Sequence, residues 1–146
     1  MPPERPIDPA IEAKVRASFD AQEAMRTVGA RLVEVAHGRT AIELPAAPHV
    51  GQQAGFVHGG VVAMILDSAC GYASLTTMPA ESEVVTVEFK INFLRPALGE
   101  RILARGSVTR AGRSLTVAQG EAFALREGRE DLVAIMIATM IPFTAR

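Results

Sequence analysis

Tryptophan is absent, aromatic residues make up 5% of the 146, and the only lysines are Lys14 and Lys90. So few flat rings leave a stacking platform for single-stranded nucleic acid poorly supplied. The 15 basic and 16 acidic side chains sum to a net charge of −1, so no basic field exists to hold nucleic acid or an anionic membrane. A single cysteine, Cys70, forms neither an intrachain disulfide nor a C-x-x-C pair, which excludes disulfide scaffolds and zinc ribbons. The longest apolar stretch, 132–143, is about 12 residues against the ~20 that a membrane helix needs, and MPPERPIDPA lacks a signal-peptide core. H-E-x-x-H, Walker A, G-x-G-x-x-G and G-x-S-x-G segments are missing, so zinc-protease, nucleotide-binding and serine-hydrolase chemistry lose their usual footing. The expectation is a protein of the cytoplasm with an aliphatic core, without metal or cofactor, and without nucleic-acid or membrane partners.

What is present reads as one domain spanning 1–146. Asp8-Pro9 is an N-cap followed by a first-turn proline, and Ile11, Val15, Phe19 and Met25 recur at nearly helical spacing up to Gly29, which predicts one amphipathic helix over about 9–28. Residues 31–35 and 39–44 around His37-Gly38 read as a hairpin. From Gly59 to about Thr76 the chain is apolar or small on every side except at Asp67, Ser68 and Tyr72, which predicts a buried helix. Beyond Pro79, Val85, Val87, Phe89, Ile91 and Phe93 alternate with Thr86, Glu88, Lys90 and Asn92, the pattern of a long half-buried strand. Strands over 101–110, 115–126 and 132–143 follow. An antiparallel sheet curled round one helix is the simplest way to enclose such a helix. The small residues Thr116, Ala118, Gly120, Ala122 and Ala124 would let a helix or another sheet approach closely.

Chemistry concentrates at two places. Gly59-Gly60 opens the apolar helix, where free N–H groups and the positive end of the helix dipole suit an oxyanion or a phosphate. Two glycines also serve simply to turn a loop tightly into a helix. Asp67 is an ionisable group in an otherwise apolar helix, which is costly unless it is paired, protonated or employed in a site. Gly59 and Asp67 lie eight positions apart, roughly 12 Å along the axis. One chain therefore cannot bring both groups to one carbonyl. If they act together, the carboxylate comes from a second copy whose helix runs antiparallel. His58 could serve as base or hydrogen-bond donor, or have a structural role. Arg110 and Arg113 flank a turn and offer guanidinium forks to phosphate, a role that competes with plain solubilisation.

The segment Gln52-x-x-Gly55-x-x-His58-Gly59-Gly60-x-x-x-x-x-x-Asp67, followed by TVEFKINFLRPA over 86–97, resembles the hotdog-fold acyl-CoA thioesterases of the PaaI type. The likeness extends over nearly the whole chain, including the Gly112-Arg113 turn. The resemblance implies an α+β hotdog fold, a curved antiparallel sheet wrapped around one long central helix, paired into homodimers and commonly into homotetramers as dimers of dimers. It implies hydrolysis of an acyl-CoA to free acid and CoA. The Gly59 N–H would polarise the thioester carbonyl with help from Gln52, with His58 in the same shell. Asp67 of the opposite subunit would act as nucleophile or general base, and Thr86 would help hold the water. Gly60, Phe56, Arg110 and Arg113 are the candidate substrate contacts. Tyr72, with Met64 or Met78, is a further candidate for the acyl pocket. A hydroxyl that some relatives carry one turn after the acid is replaced by Gly71. A non-catalytic module that binds or senses acyl thioesters is the alternative; retention of Asp67, Gln52 and the glycines favours the enzyme. A hotdog dehydratase would need a different arrangement of histidine and acid.

Overall fold

The computed structural model describes residues 4–146. Its elements, in chain order, are α1 (Pro9–Ala21), α2 (Glu23–Val28), β1 (Arg31–Ala36), β2 (Arg39–Pro45), a single 3-10 turn (Pro48–Val50), α3 (Gly59–Leu75), β3 (Glu83–Phe93), β4 (Arg101–Ala111), β5 (Thr116–Arg126) and β6 (Arg129–Phe143). All strand pairs are antiparallel, in one sheet of order β1-β2-β4-β5-β6-β3. α3 packs against β2, β3, β4, β5 and β6, so the sheet curves round it.

The small-residue strip on β5 is occupied by the helix. Gly106 and Gly120 are cross-strand partners, and the axis of α3 passes over both. A Cβ on Gly106 would stand 2.4 Å from the carbonyl carbon of Ala69, and one on Gly120 would stand 2.9 Å from Leu66 Cδ2. Thr40 on β2 donates its hydroxyl to the Ala69 carbonyl at 2.7 Å, fixing the helix against the sheet at the same level. Ile65, Leu66, Ala69, Cys70 and Ala73 are fully buried between helix and strands.

The amphipathic N-terminal segment differs from the expectation of one helix over 9–28. Gln22 has extended backbone (φ −81°, ψ 100°) and divides it into α1 and α2. The reason is phase. Val15 and Phe19 lie one turn apart, but Met25 follows Phe19 by six residues, about 120° off the buried stripe of a continuous helix. The break lets Val15, Phe19, Met25 and Val28 all reach the core.

Two further expectations are corrected. β3 is an edge strand, and much of its apolar surface is uncovered in the single chain: Val87 is 56% exposed and Phe93 54%. A bulge between Thr86 and Glu88 also changes its phase, so Thr86, opposite Met140, faces the helix together with Phe89, Ile91 and Phe93. Nor is α3 buried on all sides. Ala63, Met64, Asp67 and Ser68 are half-buried and Gly60 is exposed, which leaves an open stripe along its first three turns.

Close approach at Gly106 makes an unequal pair of substitutions. Gly106→Ala drives a methyl into the backbone of α3 and is expected to lower stability by about 2 kcal/mol or more. Gly71→Ala, where a Cβ meets nothing within 4 Å, removes backbone entropy from a helix interior and is expected to stabilise by about 0.5–1 kcal/mol. Chemical denaturation of the two variants checks the order.

Candidate active site

The first turn of α3 is built by the loop before it. His58 is the N-cap; its Nδ1 accepts from the Gly60 N–H at 2.8 Å, and its carbonyl accepts from Val61 and Val62. The Gly60 N–H, a candidate substrate donor, is thus occupied. Among the described residues the Gly59 N–H has no acceptor. A Cβ at residue 59 would sit 3.3 Å from the Phe93 ring, so glycine keeps this N–H open beside the aromatic wall. Gln52 closes a turn: its backbone N–H donates to the Phe56 carbonyl, and its Oε1 accepts from the Ala54 N–H. The side-chain Nε2 is left to donate. Gln52, Phe56, Gly59, Phe93, Arg95 and Val133 are among the residues lining one cleft of about 340 Å³.

Asp67 stands two turns further along α3, in a second cleft of about 340 Å³. Thr86 Oγ1 donates to Asp67 Oδ1 at 2.7 Å, and also contacts Met140 Sδ at 3.3 Å. This hydrogen bond engages one carboxylate oxygen and leaves the other without a partner among the described residues. Tyr72 and Ser18 close the cleft, their hydroxyls 3.2 Å apart, and the Phe19 ring meets the Tyr72 ring edge-on at 5.9 Å. Burial above all, reinforced by the Glu83 charge and opposed by the Ser18 hydrogen bond, holds the Tyr72 phenol above its ordinary range. Burial, with the Asp67 charge added, pushes the Cys70 thiol up to about 12, so it is an inert core group at neutral pH.

The chain thus carries two separate clefts: one with a free N–H and an amide donor, the other with a carboxylate and its hydroxyl partner. The sequence candidates fall out accordingly. Asp67 and Thr86 meet. Gln52, Phe56 and Gly59 meet. Gly60 is engaged by His58, whose Nδ1 acts as a cap. Met78 is buried beside Ile7 and His37, away from both clefts. Arg110 lies within β4 and Arg113 in the following turn; both are exposed and three strands from β3, and neither lines either of these two clefts. Sequence patterns did not reveal Ser18, Gln22, Glu83 or Arg95 as wall residues, because only tertiary packing brings α1 and the end of β3 to the clefts.

The thioesterase superfamily family model matches residues 54–130, more than half of the chain, a stretch that holds Gly59, Asp67 and Thr86. The chain belongs to the thioesterase superfamily. It is a thioester hydrolase with the hotdog fold. A crystal structure of a thioesterase family protein from Silicibacter pomeroyi is 46% identical, with a TM-score of 0.90, covering 92% of this chain and 99% of that one. The PaaI protein of Escherichia coli shares the fold at a TM-score of 0.83 and 17% identity, covering 93% of this chain and 95% of that one. Over 78 residues the thioesterase is 32% identical to a medium/long-chain acyl-CoA thioesterase, YigI, of Escherichia coli, covering 44% of this chain and 50% of that protein.

The capping role of His58 is separable from catalysis by substitution. His58→Ala is expected to cost about 1 kcal/mol of stability, and His58→Asn, a side chain that also caps, to recover most of it. Urea unfolding of the three proteins, beside their hydrolysis rates, gives the comparison; a role confined to capping moves both variants' rates by less than tenfold.

Proposed function

We propose that the protein is an acyl-CoA thioesterase whose active site is completed by a second copy of the chain, with antiparallel α3 helices across a two-fold axis. The observation that carries this reading is the separation of the half-sites: Gly59 and Asp67 are roughly 12 Å apart along one helix, too far to act on one carbonyl. Antiparallel pairing brings Gly59 of each copy toward Asp67 of the other. Two uncovered surfaces support it. The half-exposed stripe of Gly60, Met64 and Asp67 suits a facing helix, and edge strand β3, with exposed Val85, Val87 and Phe93, suits continuation of the sheet. Ile135 and Ile137, exposed on the outer face of β6, support pairing of dimers into a tetramer.

In this arrangement the thioester oxygen accepts from the Gly59 N–H and from Gln52 Nε2, so developing negative charge meets fixed donors at the positive end of α3. Asp67 attacks the carbonyl carbon, or takes the proton of a water that does. Thr86 Oγ1 orients the carboxylate. The tetrahedral intermediate collapses with departure of the thiolate, which takes up a proton to give free thiol; where water attacked, the acid is released at once, and where Asp67 attacked, water then hydrolyses the mixed anhydride to release the acid and restore the carboxylate. No step calls on a metal. CoA as carrier follows from the likeness to YigI, an acyl-CoA thioesterase, and Arg110 and Arg113, which have no ion-pair partner among the described residues, are proposed to meet its phosphates.

Asp67→Asn keeps the shape of the side chain but neither attacks nor accepts a proton, so kcat is expected to fall by about 10² to 10⁴ with acyl-CoA binding and melting temperature retained. Full turnover by a folded Asp67→Asn protein would falsify the catalytic role. Mixed dimers test the shared site: a Gln52→Ala subunit paired with an Asp67→Asn subunit is expected to regain activity, because one of its two sites is then intact. Heterodimers that form and stay inactive sink the shared-site model. Replacing Arg110 or Arg113 by Ala is expected to raise KM for acyl-CoA more than for a pantetheine thioester without the nucleotide; an equal change for both substrates returns these arginines to plain surface.

A further inference from the structure

We infer that the cleft formed by α1, α3 and β3 holds the acyl group, and that the Ser18–Tyr72 hydroxyl pair and Gln22 select acyl chains carrying a neutral hydroxyl. The inference rests on the thioesterase site proposed above and concerns which half of the substrate lies on which side of it. Charge separates the two sides. The cleft around Asp67 also holds Glu83, and two carboxylates repel the phosphates of a CoA arm; the other cleft is bordered by Arg95. The thiol arm therefore leaves on the Arg95 side and the acyl group points toward α1.

The volume fits. A cavity of about 150 Å³ accepts a benzene ring, so about 340 Å³ takes a short or medium acyl group with a substituent. The walls are polar where a simple alkyl pocket would be apolar. Ser18 and Tyr72 share one hydrogen bond between two hydroxyls, which leaves one proton and further lone pairs for a ligand. The Tyr72 phenol is protonated at neutral pH, so that proton is present. Gln22 lines the same cleft at the break between α1 and α2, and its Oε1 is kept from water without a hydrogen-bond partner among the described residues. The terminal torsion of a glutamine amide is broad, so a donor arriving in the cleft draws Oε1 toward it. Ser18 and Gln22 both lie outside the stretch 54–130 matched by the family model.

Hydrolysis of hexanoyl-CoA, 6-hydroxyhexanoyl-CoA and adipoyl-CoA by the full-length protein, read as released thiol, tests the inference. The hydroxylated ester is expected to show kcat/KM about tenfold or more above hexanoyl-CoA, and adipoyl-CoA, with a terminal carboxylate facing Asp67 and Glu83, to fall below both. Tyr72→Phe, which keeps the ring against Phe19, and Ser18→Ala are each expected to bring the hydroxyl preference at least threefold closer to unity. Glu83→Gln is expected to raise adipoyl-CoA relative to hexanoyl-CoA. Equal rates on hexanoyl and 6-hydroxyhexanoyl esters, or a preference unchanged in variants that melt like the parent, overturn the specificity and leave the thioesterase site standing. Failure to hydrolyse any of the three esters overturns the acyl-CoA reading and the inference with it.

Discussion

The close seat of α3 on the paired glycines Gly106 and Gly120 sets the height of the central helix over the sheet. Helix and sheet approach until backbone meets backbone, with the Ala69 carbonyl held by Thr40 at the point of contact. Dispersion contacts grow steeply as the gap closes, and the small residues of β5 remove the side chains that would keep the layers apart. With the helix fixed at that height, Asp67 falls within hydrogen-bond reach of Thr86, and Gly59 falls beside the Phe93 ring. A helix lifted by larger residues at 106 and 120 would lose both relations at once.

The geometry of α3 also underlies the proposed division of the chemistry. An α-helix rises steadily along its axis, so its N-terminal N–H groups and a carboxylate two turns later cannot converge on one atom. In the proposed reading each cleft supplies half of the chemistry, donors from one and a base from the other. The bulge in β3 belongs to the same design. By inserting a residue it turns Thr86 toward the helix while Phe89, Ile91 and Phe93 also face inward, so one strand supplies a polar partner to the carboxylate and an aromatic wall to the helix start.

α1 and α2 add a wall to the Asp67 cleft while burying Val15, Phe19, Met25 and Val28 in the common core. Lys14 ties α1 to the carbonyls of Ala80 and Ser82, just ahead of β3, and Phe19 packs on Tyr72. The segment is thus anchored at both edges of the Asp67 cleft. Its break at Gln22 meets two needs, burial of Met25 and Val28 and placement of an amide at the cleft margin. Ion pairs such as those of Glu43 with Arg31 at 2.5 Å and Arg101 at 3.0 Å tie β1, β2 and β4 together on the far side of the sheet, away from the chemistry.

Local pattern determined a good deal by itself. The apolar run after Gly59-Gly60 and the alternation of the later strands located α3 and β3 to β6 within a few residues, because hydrophobic periodicity is a property of consecutive side chains. Asp67 stood out because a carboxylate among Ile65, Leu66, Ala69 and Cys70 is chemically anomalous wherever the helix packs. A separation of eight positions was enough to set it apart from Gly59. Tertiary structure decided what depends on residues far apart in the chain: that the strip on β5 receives a helix, that the Gly60 N–H is consumed by its own cap, and that Thr86 crosses to the helix face. It also decided that Ser18 and Gln22 border the cleft of a carboxylate some 45 positions later. Periodicity reports which face of an element is apolar; only the packing of one element on another reports what that face meets.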